Sequence, residues 1–251
     1  MGAAAPHPLV WIGFVVFFVV ALVVGSRLLL LARRTRRLPE LCIGVGVLGI
    51  GPVGFGSYVI AEELARRAPD LHEALVAVGM LAVGLGVFCK FVFNWRVYHP
   101  ARRRVGAVVG AAGAILALTY AHGAATGFAG YDALGWSYLA RVGLQVGTLL
   151  WGSAEALRYW SRMRRRVRLG LGDAVVCNRF LLWGIGAGAA GVGSLVGTLA
   201  QIATGVPPNE VPWVLASSSL HGLVAAVAMW LAFVPPAAYT RLVARQAAVE
   251  A

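Results

Sequence analysis

Charged side chains are scarce in this sequence, and their scarcity excludes most soluble folds. Only 13% of the 251 residues are Asp, Glu, Lys or Arg, against roughly 25% in soluble domains. The sequence is 59% hydrophobic and its mean hydropathy is +0.77. This composition is typical of membrane proteins with several spans. The length suits one helical bundle over residues 1–251 and leaves no room for a separate soluble catalytic domain.

Cysteines and acidic residues are also few, which argues against the chemistry that depends on them. Cys42, Cys89 and Cys177 have no CxxC or metal-ligand spacing and are expected to be small buried side chains. No paired carboxylates or nucleophile–base arrangement occurs within the apolar segments, so we expect no enzyme activity. His122 and His221 could ligate haem from two helices, but neither has a second histidine three or four residues away. We therefore expect no metal and no cofactor.

The basic residues recur between apolar segments instead of forming one patch. The formal net charge is +12, which for a soluble domain would suggest nucleic-acid binding. Because the arginines alternate with long apolar runs, they indicate membrane topology instead. No nucleic-acid partner is expected.

Seven apolar segments are long enough to cross a membrane as helices. Their predicted ranges are about 9–31, 41–61, 74–97, 105–122, 136–159, 180–204 and 213–239. Arginines concentrate in the first, third and fifth connecting loops and in the C-terminal tail, which predicts an outside N-terminus and a cytoplasmic C-terminus. We expect an all-α integral membrane protein, a seven-transmembrane-helix bundle in a bacterial inner membrane. This plan resembles that of opsins and G-protein-coupled receptors, although the seventh span has no lysine that could hold retinal.

Spans two and six share a glycine pattern. The residues Gly49, Gly51, Gly54, Gly56 and Ser57 align with Gly186, Gly188, Gly191, Gly193 and Ser194. Spans one to three could therefore repeat as spans five to seven, with span four as a linker, a 3+1+3 parallel repeat like that of some small transporters. Chance similarity between two glycine-rich helices is the alternative. Pro52 should kink span two.

Polar residues follow one face of span five. These residues, spaced three or four positions apart, are Tyr138, Arg141, Gln145, Thr148, Gly152 and Glu155. An ionised group facing lipid costs at least a few kcal/mol, so this face must turn toward other helices or a cavity. Arg141 then needs an anion, which could be an acidic residue such as Glu62 or an anionic ligand.

We predict an outward-facing polar cavity that binds a small, anionic molecule. Its candidate ligand-binding residues are Tyr138, Arg141, Gln145, His122, Gln201, Ser218, His221 and Glu62. Nearer the cytoplasm, Lys90 and Glu155 lie at matched depth and are predicted to form a structural ion pair. Extension of the Lys90 ammonium to the membrane interface is the alternative.

Three functions are compatible with these sequence features. The leading prediction is a non-enzymatic, sensor- or receptor-like protein that binds a small-molecule ligand and signals through a cytoplasmic partner at its arginine-rich loops. A small-solute transporter of 3+1+3 type and a structural subunit of a membrane complex are the alternatives. The basic loops are equally well explained by topology and by contact with anionic lipids of the bilayer.

Overall fold

The computed structural model describes residues 8–65, 67–128 and 134–250, which form helices joined by turns. The helices are α1 (Pro8–Thr35), α2 (Leu38–Leu48), α3 (Gly56–Leu64), α4 (Pro69–Tyr98), α5 (Arg103–Thr126), α6 (Trp136–Arg168), α7 (Ala174–Thr204), α8 (Pro212–Phe233) and α9 (Ala237–Glu250). A π-helical segment, Gly49–Phe55, joins α2 to α3, and a 3-10 turn, Pro208–Glu210, precedes α8. The predicted all-α class is confirmed.

Six helical stretches are long and apolar enough to cross a membrane. They are Ile12–Thr35, Leu38–Leu64, Pro69–Tyr98, Arg103–Thr126, Ala174–Thr204 and Pro212–Phe233. Each has 22 residues or more, and about 20 residues suffice to span the hydrocarbon core. The chain is therefore a multi-pass helical membrane protein in contact with the lipid bilayer.

Helix α6 is the one predicted span that is missing from this set. Its 33 residues are long enough, but Arg141, Gln145 and Glu155 interrupt the apolar run and arginines fill its last turns. The predicted number of seven spans is therefore supported for six by length and composition. That α6 also crosses the membrane stays a prediction.

Local chemistry moves several helix ends from their predicted positions. Helix α6 continues to Arg168 through a stretch predicted as loop, because arginine and methionine favour helix, and it ends before Gly170, whose φ is 68°. Helix α7 begins early because the Asp173 carboxylate accepts hydrogen bonds from the N–H groups of Val175 (2.7 Å) and Val176 (3.2 Å). Helix α8 stops at Phe233 because Pro235 disfavours helical geometry in the residue before it.

Six of the helical stretches pack in a ring, and α5 lies outside it. Around the ring, α1 packs against α2 and α8, α4 against α2 and α6, and α7 against α6 and α8. Helix α5 packs on α4 and α6. The ring thus contains two three-helix groups, α1–α2–α4 and α6–α7–α8, each with a glycine-rich middle helix. The turns that follow α1, α4, α6 and α8 lie at one end, called the arginine-rich end below.

Glycines permit the close approach of helices within each group. A Cβ atom on Gly49 would lie 2.5 Å from a carbonyl oxygen of α4, and one on Gly186 would contact α8. Cβ atoms on Gly51 and Gly188 would contact α1 and α6, respectively. Gly49 and Gly186 therefore both face the third helix of their own group. Gly51 and Gly188 both face the first helix of their own group.

The π-helical segment marks where this correspondence ends. Pro52 has no N–H group, and its ring would clash with the carbonyl four residues earlier, so the wider π turn accommodates it. The extra residue of a π turn rotates the positions that follow. Gly56 accordingly faces Phe18 of α1, whereas the aligned Gly193 faces His221 of α8.

Candidate functional site

The polar residues near the start of α6 are bonded to α7. Tyr138 is 4% exposed, and its hydroxyl donates a 2.7 Å hydrogen bond to Oε1 of Gln201, which is 1% exposed. Further along α6, the Gln145 amide donates to Oγ of Ser194 at 3.3 Å. The structure brings these predicted site residues together, but as interhelical hydrogen bonds of the kind that hold membrane helices to one another.

Arg141 lies between these two hydrogen-bonding positions and has no acidic partner. Its side chain is half-buried, and its Nη1 atom is buried without a hydrogen-bond partner among the described residues. Glu62 is exposed near the end of α3, and the two residues form no salt bridge. The structural ion pair considered for Arg141 is therefore not formed with any described residue. A buried donor without a partner costs about 1–3 kcal/mol or more, so this position suits an anion.

The remaining predicted ligand-binding residues have separate neighbours. The Nδ1 atom of His221 lies 2.7 Å from the carbonyl oxygen of Ser217 on its own helix. Ser218 is exposed. The ring of His122 packs against that of Trp136, with 5.0 Å between centroids. Each of these contacts is explained by local packing and none points to a shared ligand.

Lys90 is buried where three helices meet. It is 8% exposed, and its side chain passes over Gly46 of α2, where a Cβ atom would lie 2.9 Å from Lys90 Cγ. Its ammonium nitrogen lies 4.6 Å from the ring centroid of Trp183 on α7, a cation–π contact. No salt bridge joins Lys90 to Glu155 among the described residues, because the Lys90 ammonium is directed to an aromatic face in the helix interface.

Glu155 has other partners, an imidazole and a guanidinium, at the arginine-rich end. Its Oε1 atom lies 3.2 Å from Nε2 of His99 and 2.9 Å from Nη1 of Arg158. His99 directly follows α4, and its ring stacks on Trp151 of α6 with 6.0 Å between centroids and 11° between planes. This stacking orients the imidazole toward the carboxylate and fixes the end of α4 to α6.

A buried hydrogen bond continues this polar contact between α4 and α6 into the bundle. Asn94 is 2% exposed and donates from Nδ2 to the Thr148 carbonyl oxygen at 3.0 Å. Gly152 leaves room for it, since a Cβ there would lie 3.0 Å from Asn94 Oδ1. The two helices therefore share a polar seam that runs inward from the Glu155 cluster.

A cavity of about 390 Å³ opens beside Glu155. We call it the basic mouth, and its lining residues are Tyr98, His99, Pro100, Ala101, Arg102, Glu155, Arg158, Tyr159 and Arg162. Three guanidinium groups and one carboxylate give the lining a net positive charge, and a cavity of this size accommodates a small organic molecule. Among the described residues, no cluster of three His, Cys, Asp or Glu side chains suits a metal ion.

The site predicted from the sequence lies at the opposite end of the bundle, and Asn94, Tyr98 and His99 are not among its residues. The first two follow Lys90 at four-residue intervals on one face of α4, the same kind of polar spacing that singled out α6. Because α4 and α6 run parallel, these stripes could have been paired. His99 lies just beyond the helix, where periodicity carries no signal.

Comparisons of the chain with protein-family models, with curated proteins and with solved structures found no match.

Proposed function

We propose that the protein is a non-enzymatic, sensor-like membrane protein that binds a small anionic ligand in the basic mouth. The observation that carries the proposal is the lining of three arginines, of which only Arg158 has a salt-bridge partner among the described residues. The guanidinium groups of Arg102 and Arg162 can offer paired N–H donors to a phosphate or carboxylate. Tyr98 and Tyr159 add aromatic walls and two hydroxyl groups.

The lining favours binding over catalysis. Its one carboxylate, Glu155, is already paired with His99 and Arg158, so it is poorly placed to act as a free general base. The lining contains no serine, threonine or cysteine that could serve as a nucleophile. Recognition of an anion needs none of these groups.

We further infer that α6 is a seventh span, which places the N-terminus outside and the basic mouth at the cytoplasmic face of an inner membrane. Helix α6 packs along α4 and α7, two of the six apolar spans. Its last turns carry arginines at 164, 165, 166 and 168, beyond the mouth. Because Arg158 and Arg162 belong to the same helix, ligand binding at the mouth could be transmitted to a cytoplasmic partner through these turns.

The test is anion binding by the purified full-length protein, with inorganic phosphate and pyrophosphate as probes. Native mass spectrometry in mild detergent would count bound anions, and thermal shift would give their affinity. The key variant is Arg102→Gln/Arg162→Gln, which leaves the Glu155 ion pairs intact. Since a hydrogen bond to a charged group is worth about 1.5–3 kcal/mol, we expect at least tenfold weaker binding in this variant.

The matched control is Arg165→Gln/Arg166→Gln, which removes two exposed charges from the same helix outside the mouth. It should bind like wild type. Equal binding by wild type and the Arg102→Gln/Arg162→Gln variant would overturn the proposal. Binding lost only in Arg141→Gln would move the ligand to the outward site first predicted from the sequence.

A small-solute transporter is the second candidate, and the ring of helices favours it. The first helix of each three-helix group packs against the third helix of the other, α1 on α8 and α6 on α4. This arrangement is expected of two parallel repeats related by an axis along the membrane normal. Uptake of a labelled anion into proteoliposomes, lost in the Arg102→Gln/Arg162→Gln variant, would favour transport; binding without uptake would favour the sensor.

A further inference from the structure

A second cavity lies at the arginine-rich end, at the corner where α1 turns into α2. Its volume is about 470 Å³, and its lining residues are Leu29, Ala32, Arg33, Arg36, Arg37, Leu38 and Leu41. Apolar side chains of both helices form the walls, and three arginines stand at the turn. The lining includes no acidic side chain; Glu40, the nearest acid in the sequence, is not part of it.

The turn itself concentrates positive charge at this corner. Only Arg36 and Arg37 separate the two helices, and Arg36 has a φ of 53°, a left-handed backbone that is uncommon for residues other than glycine. The first N–H groups of α2 have no side-chain cap, so the positive end of its helix dipole adds to the arginines. Glycine would adopt this backbone at position 36 with less strain, but the sequence has arginine there.

The corner also has a defined position in the bilayer. It lies at the ends of two apolar spans, Ile12–Thr35 and Leu38–Leu64, where hydrocarbon gives way to lipid headgroups. Four leucines there, Leu30, Leu31, Leu38 and Leu41, are between 42% and 59% exposed. An occupant must therefore have an anionic part for the arginines and an apolar part for the leucines.

We propose that this corner binds one acidic phospholipid. The phosphate contacts Arg33, Arg36 and Arg37, and one acyl chain lies along Leu29, Leu38 and Leu41. This site differs in chemistry from the basic mouth, whose tyrosines, histidine and carboxylate suit a water-soluble ligand. Basic pockets between spans at the cytoplasmic side are a known setting for anionic headgroups.

The experiment is native mass spectrometry of the full chain, delipidated and then titrated with phosphatidylglycerol or phosphatidylcholine. Wild type should retain one phosphatidylglycerol in preference to phosphatidylcholine. The charge variant is Arg33→Gln/Arg36→Asn/Arg37→Gln, in which asparagine tolerates the left-handed backbone at position 36. A basic residue near an acidic membrane surface contributes about fivefold in affinity, so the triple variant should bind phosphatidylglycerol on the order of 100-fold more weakly.

Two further variants separate a built site from general surface charge. Arg165→Gln/Arg166→Gln/Arg168→Gln removes three exposed arginines elsewhere at this end and should retain the lipid. Leu38→Trp fills the groove without changing charge and should lose it. Equal retention of the two lipids by wild type, retention of phosphatidylglycerol by the charge variant, or equal loss in the control would each overturn the proposal.

Discussion

Two buried ionisable residues, Lys90 and Glu155, are stabilised in different ways. Lys90 has an aromatic face, at 4.6 Å, and Glu155 has a guanidinium at 2.9 Å and an imidazole at 3.2 Å. A cation–π contact away from water contributes about 2 kcal/mol, which is less than the several kcal/mol that burying an ion costs. Glu155 lines the basic mouth and has hydrogen-bond partners in His99 and Arg158. Burial of Lys90 therefore costs more free energy than burial of Glu155, whose carboxylate has two side-chain partners.

The ion pairs of Glu155 predict that it is energetically coupled to His99 and not to Lys90. We expect Glu155→Gln to lower the free energy of unfolding by about 1–2 kcal/mol. In a double-mutant cycle with His99→Ala, the two losses should be non-additive by at least ~0.5 kcal/mol, as is usual for residues in contact. Apparent melting temperatures in detergent would give the four values.

The cycle of Lys90→Met with Glu155→Gln serves as the comparison, since Met keeps the length of the side chain. These losses should add within about 0.5 kcal/mol because the two residues do not share a partner. Strong coupling of Glu155 to Lys90 together with additivity toward His99 would contradict the geometry. Glu62→Gln, an exposed glutamate on α3, should change stability by less than ~0.5 kcal/mol.

At the scale of helices, α2 and the π-helical segment approach α4 closely because glycines at this interface have no side chain. The Cα of Gly86 on α4 would lie 3.2 Å from a Cβ on Gly49, and the carbonyl oxygen of Ala82 only 2.5 Å from it. Backbone atoms on both sides cannot move as a side chain can. The two helices would have to separate, and Lys90, which passes over Gly46, would lose its place.

We therefore expect Gly49→Ala to destabilise the protein by about 1–3 kcal/mol, as overpacking commonly does. Gly84→Ala is the matched control on α4, because a Cβ there has nothing within 4 Å. It should be neutral, or stabilising by up to about 1 kcal/mol, since alanine has the higher helix propensity. Melting temperatures of the two variants would show the difference; equal effects would mean that helix propensity and not packing decides both.

The same helices show how far the sequence could predict this molecule. Six spans followed from apolar length alone, and the disturbance at Pro52 followed from its missing N–H group. The partner of Lys90 could not be derived, because Glu155 and Trp183 both come from other helices and only packing decides between them. The basic mouth was not predicted because four of its lining residues, at positions 99–102, lie in the turn between α4 and α5. In a turn, neither hydrophobic period nor residue spacing indicates a site.

For the molecule as a whole, the orientation of α6 decides where every later turn lies. If α6 crosses the membrane, the turns after α4 and α6 share the cytoplasmic side, and the turn between α7 and α8 is outside. If α6 does not cross, the turn after α6 changes sides and so does the one between α7 and α8. Charge favours the first arrangement, because five arginines near the end of α6 would otherwise be translocated.

Single cysteines introduced into a variant without Cys42, Cys89 and Cys177 would report these sides. We expect Ala101→Cys and Leu171→Cys to react with a membrane-impermeant maleimide only after the cells are opened, because both positions are exposed at the arginine-rich end. Asn209→Cys, in the turn before α8, should react in intact cells. Labelling of Leu171→Cys in intact cells, with protection of Asn209→Cys, would show that α6 lies at the outer surface. The basic mouth could not then be a cytoplasmic site, because α6 supplies four of its nine lining residues.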